Sequence, residues 1–151
     1  MLASKTRRIW GSRPKLSVPF WIASTVLYAT GFVAIFALIN PVVYQFLQAA
    51  QAPQLVAIKL NLIRLPLICL VLFAFPFLLW NSLERALLLM KFATAVVIVV
   101  YIDDHLVLYE YVGYPKLAIF KIALFLRPIA VMALLWITFE LHFRVKIGQQ
   151  K

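Results

Sequence analysis

The chain of 151 residues is 65% hydrophobic and carries 15 basic against 5 acidic residues, a formal net charge of +10. Soluble domains are about 45–50% apolar, so this composition excludes an ordinary soluble protein and predicts an integral membrane protein. The single cysteine, Cys69, excludes a disulfide framework within one chain. The positive charge is typical of basic residues flanking membrane spans. Because no RNA- or DNA-binding motif accompanies it, we expect no nucleic-acid partner.

The first half of the chain predicts two membrane spans. No charged residue occurs between Lys15 and Lys59, and residues 18–39 within this stretch form the first span, which is closed by Asn40-Pro41. The next residues, 42–52, are rich in Gln and less apolar, which predicts an interfacial turn or helix end. The second span is predicted over residues 59–80. Both are close to the roughly 20 residues that a helix needs to cross a bilayer.

The second half predicts two further spans, over residues 83–102 and 116–139. Lys91 interrupts the third span and Arg127 interrupts the fourth. The sequence therefore predicts an all-α integral membrane protein with four transmembrane helices. We interpret residues 1–151 as a single four-helix transmembrane domain with a short basic N-terminal tail.

The distribution of charge predicts the orientation. Three of the five acids, Asp103, Asp104 and Glu110, follow the third span and fall on one predicted side. Most basic residues fall on the other side: Lys5, Arg7, Arg8, Arg13, Lys15, Arg85, Arg144, Lys146 and Lys151. By the positive-inside rule that side is cytoplasmic, so both termini are expected to be cytoplasmic. We expect the membrane to be a plasma membrane, the inner membrane of a bacterium.

A short internal similarity indicates a design of two helical hairpins. Leu-Leu-Trp ends at Trp80 and again at Trp136, and a glutamate follows four residues later in each case, at Glu84 and Glu140. Two such hairpins in parallel orientation would give a four-span protein. The pattern is short, and a shared interfacial composition explains it more simply than a duplication.

Arg127 is the residue that the predicted topology explains least. By helical rise it lies about 14 Å from Trp136, near the middle of a hydrocarbon layer of about 30 Å. Placing an arginine side chain at that depth costs at least about 2.5–3.5 kcal/mol. Lys91 is predicted at a similar depth, and no acid of the chain is expected at the level of either cation. We therefore predict that Arg127 is neutralised by backbone carbonyls that Pro128 frees, by a neighbouring chain, by a lipid or by an anion. Its side chain should point into the bundle or a subunit interface.

Two further cations, Arg64 and Lys121, lie about 7 Å inside the opposite border of the membrane by helical rise. Long side chains at that depth can extend to lipid phosphate or interfacial water. Together with Arg127 and Lys91 they are the candidate binding residues for an anion, a lipid or a partner. Glu140, by contrast, is expected to pair with Arg144 one helical turn later.

The predicted outer loop contains an acidic cluster of Asp103, Asp104, His105 and Glu110. We interpret it as a solvated loop. Carboxylates and imidazole can also bind divalent ions, but the spacing matches no known metal site. The sequence shows no nucleophile–base pair and no Gly-rich phosphate loop. We therefore predict no catalytic residue, no metal and no cofactor, and favour a protein that is not an enzyme.

Three functions are compatible with these features. The first is a non-catalytic subunit or partner-binding component of an oligomeric membrane complex, with partners that include anionic lipid headgroups and either further copies or other membrane subunits. The second is a homo-oligomeric channel or transporter for anions, in which Lys91, Arg127, Arg64 and Lys121 form a cationic path. The third, an enzyme acting on lipid or quinone, is least favoured because its candidate groups are far apart.

Overall fold

The structure, a computed structural model, describes residues 15–41, 45, 52–114 and 118–149. Within these ranges the chain forms four long helices, which are α1 (Val18–Ile39), α2 (Ala52–Asn81), α3 (Leu83–Asp103) and α5 (Ala118–Gln149). A five-residue π-helix, Asp104–Leu108, and the short helix α4, Tyr109–Val112, continue directly from α3.

Each long helix contributes an apolar stretch long enough to cross a membrane, and the stretch of α3 continues through the π-helix. These stretches are Val18–Ala37, Leu62–Asn81, Leu83–Leu108 and Leu124–Gly148. These helices confirm the prediction of an all-α protein with four helices long and apolar enough to cross a membrane. Most of the interfacial segment predicted over 42–52 lies outside the described residues, as do the basic tail before residue 15, Lys116 and Lys151.

The predicted ends of two spans differ from the observed helices. The third was expected to stop at Ile102 and give way to a loop, but helical structure continues without interruption to Val112. The fourth was expected to stop at Phe139, but α5 continues to Gln149. The sequence interpretation ended both spans where charged residues appear. A charged residue ends an apolar stretch but does not end a helix, because backbone hydrogen bonding is independent of side-chain polarity.

Serine residues cap two of the long helices. Ser17 precedes α1, and its Oγ accepts a hydrogen bond from the N–H of Phe20 at 3.2 Å. Ser82 is the single residue between α2 and α3, and its Oγ accepts from the N–H of Arg85 at 3.4 Å. Serine is favoured at this position because its oxygen satisfies an N–H group that has no partner within the helix.

Large apolar side chains fill the centre of the bundle. Phe20 of α1, Met90 of α3, and Ile137 and Leu141 of α5 are fully buried, and Phe75 of α2 is 2% exposed. The Thr94 and Thr138 hydroxyls hydrogen bond at 2.9 Å between α3 and α5. Further along the chain Asp104, the first residue after α3, contacts Arg127, which precedes Thr138 on α5. The two helices therefore run antiparallel.

A proline explains one contact between α1 and α2. Pro76 lacks an N–H, so the carbonyl of Leu72, four residues earlier, loses its normal helical donor. The Tyr28 hydroxyl of α1 donates to this carbonyl at 2.7 Å. Gly31 of α1 faces the same leucine, and a Cβ added at Gly31 would lie 2.8 Å from Leu72 Cδ1. A carbonyl freed by Pro76 and the absence of a side chain at Gly31 therefore both shape the contact of these helices around Leu72.

Candidate functional site

Asp104 is the centre of the main polar site. Its side chain is fully buried. It lies fourteen residues after Met90, close to four helical turns, so it falls on the inner face of the same helix. The π-helix begins at Asp104, and the N–H of Tyr109 donates to the Asp104 carbonyl. Single-turn π-helices occur frequently at functional sites. The continuation of α3 therefore carries a carboxylate into the interior of the bundle.

Two arginines from other helices bind this carboxylate. Arg64 of α2 donates from Nη1 to Oδ1 at 2.8 Å and to Oδ2 at 2.9 Å. Arg127 of α5 donates from Nη1 to Oδ2. We call Arg64, Asp104 and Arg127 the Asp104 triad. Hydrogen bonds between ionised groups are about twice as strong as neutral ones, so the triad ties α2, α3 and α5 together.

This arrangement corrects three predictions. The prediction that no acid of the chain neutralises Arg127 is wrong, because Asp104 does. Arg64 was expected to extend to lipid phosphate or water and instead binds the same carboxylate. Asp104 was expected in a solvated loop and is instead buried within a helix. The common physical reason is that the helix continues past Ile102 and turns Asp104 inward.

Other side chains border the triad. Asp103 Oδ2 lies 4.0 Å from Arg64 Nη2, and the Asp103 side chain is 53% exposed. The ring of Tyr109 is buried, and its centroid lies 6.0 Å from Arg127 Cζ, within the range of a cation–π contact. Tyr109 also stacks on the exposed Tyr114 at 5.1 Å. Burial raises the pKa of the Tyr109 phenol, so the group remains neutral beside Arg127.

The triad lies near one boundary of the apolar spans. Arg64 is two residues inside the start of the span Leu62–Asn81, and Arg127 is three residues inside the start of Leu124–Gly148. These offsets correspond to about 3–5 Å of helical rise. The prediction that Arg127 lies at the level of Lys91 is therefore wrong, because Arg127 lies beside Asp104 near one end of its apolar span. Lys91 precedes Asp104 by thirteen residues, about 20 Å along the helix.

The remaining predicted site residues lie apart from the triad. The side chains of Lys91 and Lys121 are both exposed, on α3 and α5 respectively. His105 Nδ1 lies 2.8 Å from the Tyr101 carbonyl, and Glu110 is exposed. Among the described residues, no group of three or more His, Cys, Asp or Glu side chains is arranged to hold a metal ion.

A second polar cluster joins the start of α1 to α5. The Ser17 N–H donates to Glu140 Oε1 at 2.7 Å, and the Ser17 Oγ donates to Oε2. Arg144 Nη2 lies 3.5 Å from Glu140 Oε1, which confirms the predicted pairing one turn apart. Sequence reasoning missed Ser17, although a serine directly before an apolar run is a recognised helix-start signal.

The helices and the triad define a small helical integral membrane protein with a charged cluster at one boundary of its spans. Comparisons with protein-family models, curated proteins and solved structures find no match to this chain. Its function is therefore inferred from its own geometry.

Proposed function

We propose that this chain is a non-catalytic, partner-binding component of a membrane complex, and that Lys91 on the outer face of α3 contacts the partner. The observation that carries this proposal is the position of Lys91. It is exposed, and it makes no ion pair or hydrogen bond with any part of the chain that the structure describes.

Lys91 lies in an apolar and lipid-facing environment. By helical rise it is about 12 Å inside the start of the span Leu83–Leu108. Its neighbours on the exposed side of α3 are Leu88, which is 70% exposed, and Phe92, which is 55% exposed. A lysine within a span costs about 2.5–3.5 kcal/mol unless it is paired or extends to the interface. A carboxylate on a neighbouring helix at the same depth would remove most of that cost.

The geometry favours a different protein over a second copy at this face. In a parallel two-fold dimer with Lys91 at the axis, Lys91 would lie close to its own equivalent. Two ammonium groups in an apolar interface repel each other. We therefore propose that the partner across this face is another membrane protein whose transmembrane segment carries an acid.

The proposed orientation follows the charge distribution. The exposed side chains of Lys15, Arg85 and Lys146 lie toward the end of the bundle opposite the Asp104 triad. We place this end, and with it both termini, on the cytoplasmic side of a bacterial inner membrane, where these residues would contact anionic headgroups. The arrangement as two helical hairpins belongs to the same proposal.

The geometry gives the alternative of an anion channel less support. A cationic path would require Lys91 and Arg127 to face one pore. Instead, Arg127 points inward to Asp104, whereas Lys91 points outward about 20 Å away along the bundle axis. Within the described residues, apolar side chains such as Met90 and Ile137 fill the centre of the bundle.

Photo-crosslinking in native membranes tests the proposed function. A photoreactive residue replaces Leu88, one turn from Lys91, and the product is compared between the parent chain, Lys91→Gln and Lys121→Gln. The second variant removes an exposed lysine of α5 and is the matched control. We expect Lys91→Gln to reduce the crosslinked protein product by about tenfold, the equivalent of one ion pair of about 1.4 kcal/mol, and Lys121→Gln to leave it unchanged.

The identified partner then permits a charge exchange. Lys91→Glu should abolish the product, and replacement of the partner's acid by lysine should restore it. Crosslinks only to lipid, or only to further copies of this chain, would contradict the proposal, as would a product that is equally abundant without Lys91.

A further inference from the structure

The Asp104 triad has the position of a headgroup-binding site. Arg64 and Arg127 lie on different helices, yet both fall about 3–5 Å inside the same boundary of the apolar spans. Asp104 is four residues from the end of the span Leu83–Leu108, about 6 Å from the same boundary. Three charged residues from three helices therefore meet near the same end of the apolar spans, the level at which we expect hydrocarbon to give way to lipid headgroups.

The triad also has an excess of positive charge. Two guanidinium groups share one buried carboxylate, which leaves one positive charge among these three groups. Asp103 Oδ2 lies 4.0 Å from Arg64 Nη2, and the Asp103 side chain is half-exposed. Solvent therefore screens the attraction between Asp103 and Arg64. An excess charge near hydrocarbon is costly and favours the binding of an anion.

Both arginine side chains are partly exposed, although the acid that binds them is not. The side chains of Arg64 and Arg127 are 19% and 26% exposed, whereas that of Asp104 is 0% exposed. A guanidinium carries five N–H donors, and the hydrogen bond from Arg127 to Asp104 involves only Nη1. Asp104 thus holds two partly exposed arginine side chains in fixed positions.

We infer that the Asp104 triad binds a phosphate group, with Arg64 and Arg127 as the contacting residues and Asp104 as the positioning residue. The planar fork of a guanidinium matches the oxygens of a phosphate in bidentate geometry. The depth of the site matches a phospholipid headgroup, and a soluble phosphate offers the same oxygens. Two aromatic rings lie beside the site: the buried Tyr109 contacts Arg127, and the exposed Tyr114 stacks on Tyr109. This inference does not depend on the proposed partner at Lys91.

Lipid retention measured by native mass spectrometry tests the inference. The full chain is presented with phosphatidylglycerol and with a glycolipid that has the same acyl chains but no phosphate. Arg127→Gln removes one guanidinium, and Lys59→Gln is the control at an exposed position of α2. We expect Arg127→Gln to weaken phosphatidylglycerol binding by about ten- to a hundredfold, the range for losing a hydrogen bond to a charged group. Lys59→Gln should stay within about twofold.

A second variant keeps the test decisive if Arg127→Gln fails to fold. Arg127→Lys preserves the charge beside Asp104 but loses the planar fork, so we expect a smaller yet measurable loss of phosphatidylglycerol. Helical content by circular dichroism identifies the folded variants. Competition with inorganic phosphate distinguishes the sources: displacement of the lipid assigns the site to soluble phosphate, and no displacement assigns it to a headgroup. Equal retention of phosphatidylglycerol by the parent chain and every folded Arg127 variant would overturn the inference, as would equal binding of the phosphate-free lipid.

Discussion

Arg127 donates a hydrogen bond to Asp104, a residue 23 positions earlier in the chain and on a different helical segment. Arg64 binds the same carboxylate from a third helix. The arginine that the sequence marks as an uncompensated charge is therefore neutralised within one chain. Lys91, by contrast, lies within an apolar span and makes no ion pair or hydrogen bond with the described residues, so we propose that this face of α3 contacts a partner.

The Asp104 triad should make a large contribution to stability. Asp104→Asn removes the buried negative charge that two partly exposed arginine side chains share, and breaking a buried pair typically costs about 3–5 kcal/mol because it leaves a charge uncompensated. Asp103→Asn changes a half-exposed neighbour and should cost less than about 1 kcal/mol. Thermal unfolding of both variants in the same detergent measures the difference. Equal stability of the two variants would show that the triad does not hold the helices together.

The contact between Tyr28 and Leu72 should depend on Pro76. Tyr28→Phe removes the only hydroxyl of that side chain and leaves the Leu72 carbonyl without this donor, a loss of about 1–3 kcal/mol. Pro76→Ala returns an N–H to the helix, which can then bond to the Leu72 carbonyl. We therefore expect Tyr28→Phe to cost less than half as much in the Pro76→Ala background. A double-mutant cycle of unfolding free energies checks this, and an identical cost in both backgrounds would refute it.

The packing of α1 against Leu72 of α2 should require glycine at position 31. A Cβ there would lie 2.8 Å from Leu72 Cδ1, whereas a Cβ at Gly148 would meet nothing within 4 Å. We expect Gly31→Ala to be less stable than Gly148→Ala by about 1–3 kcal/mol, the usual cost of overpacking. Chemical denaturation of the two variants measures this difference. Leu72→Ala makes room beside Gly31, so the cost should largely disappear in that background, and persistence of the cost would argue against a steric cause.

The start of α1 should be coupled to α5 through Ser17 and Glu140. Ser17→Ala removes both the helix cap and the hydroxyl bond to the carboxylate, for a loss of about 1–3 kcal/mol in unfolding free energy. In the Glu140→Gln background only part of that loss remains, because the charged acceptor is absent. We expect a coupling energy of about 1 kcal/mol from the double-mutant cycle, within the range for residues in contact. Additive effects of the two substitutions would rule out the coupling.

Several features of the fold could be predicted from the sequence because they depend on local composition. The first predicted span and α1 cover the same residues, 18–39, since an apolar run and a proline after it are properties of consecutive residues. The Glu140–Arg144 pair could likewise be predicted, because one helical turn separates the two residues. The direction of Arg127 into the bundle was also among the predictions, and its hydrogen bond to the buried Asp104 agrees with it.

The pairing of Arg64 and Arg127 with Asp104 could be identified only from the tertiary structure. Asp104 lies on the same helical face as Met90. If the third helix had been predicted to continue by one turn, Asp104 would have been placed on the inner face, but its charge suggested a loop. The π-helix that starts at Asp104 leaves no comparable signal in the sequence.

The sequence by itself thus determined the class of protein, the number of long helices and the charged residues that interrupt apolar stretches. Hydropathy and helical rise suffice for these features because both depend only on consecutive residues. Only the tertiary structure decided which charges meet, since the contacts among Arg64, Asp104 and Arg127 depend on how three separate helices pack. The same packing left Lys91 on the outside, because its position on α3 turns it away from the interior that Asp104 faces.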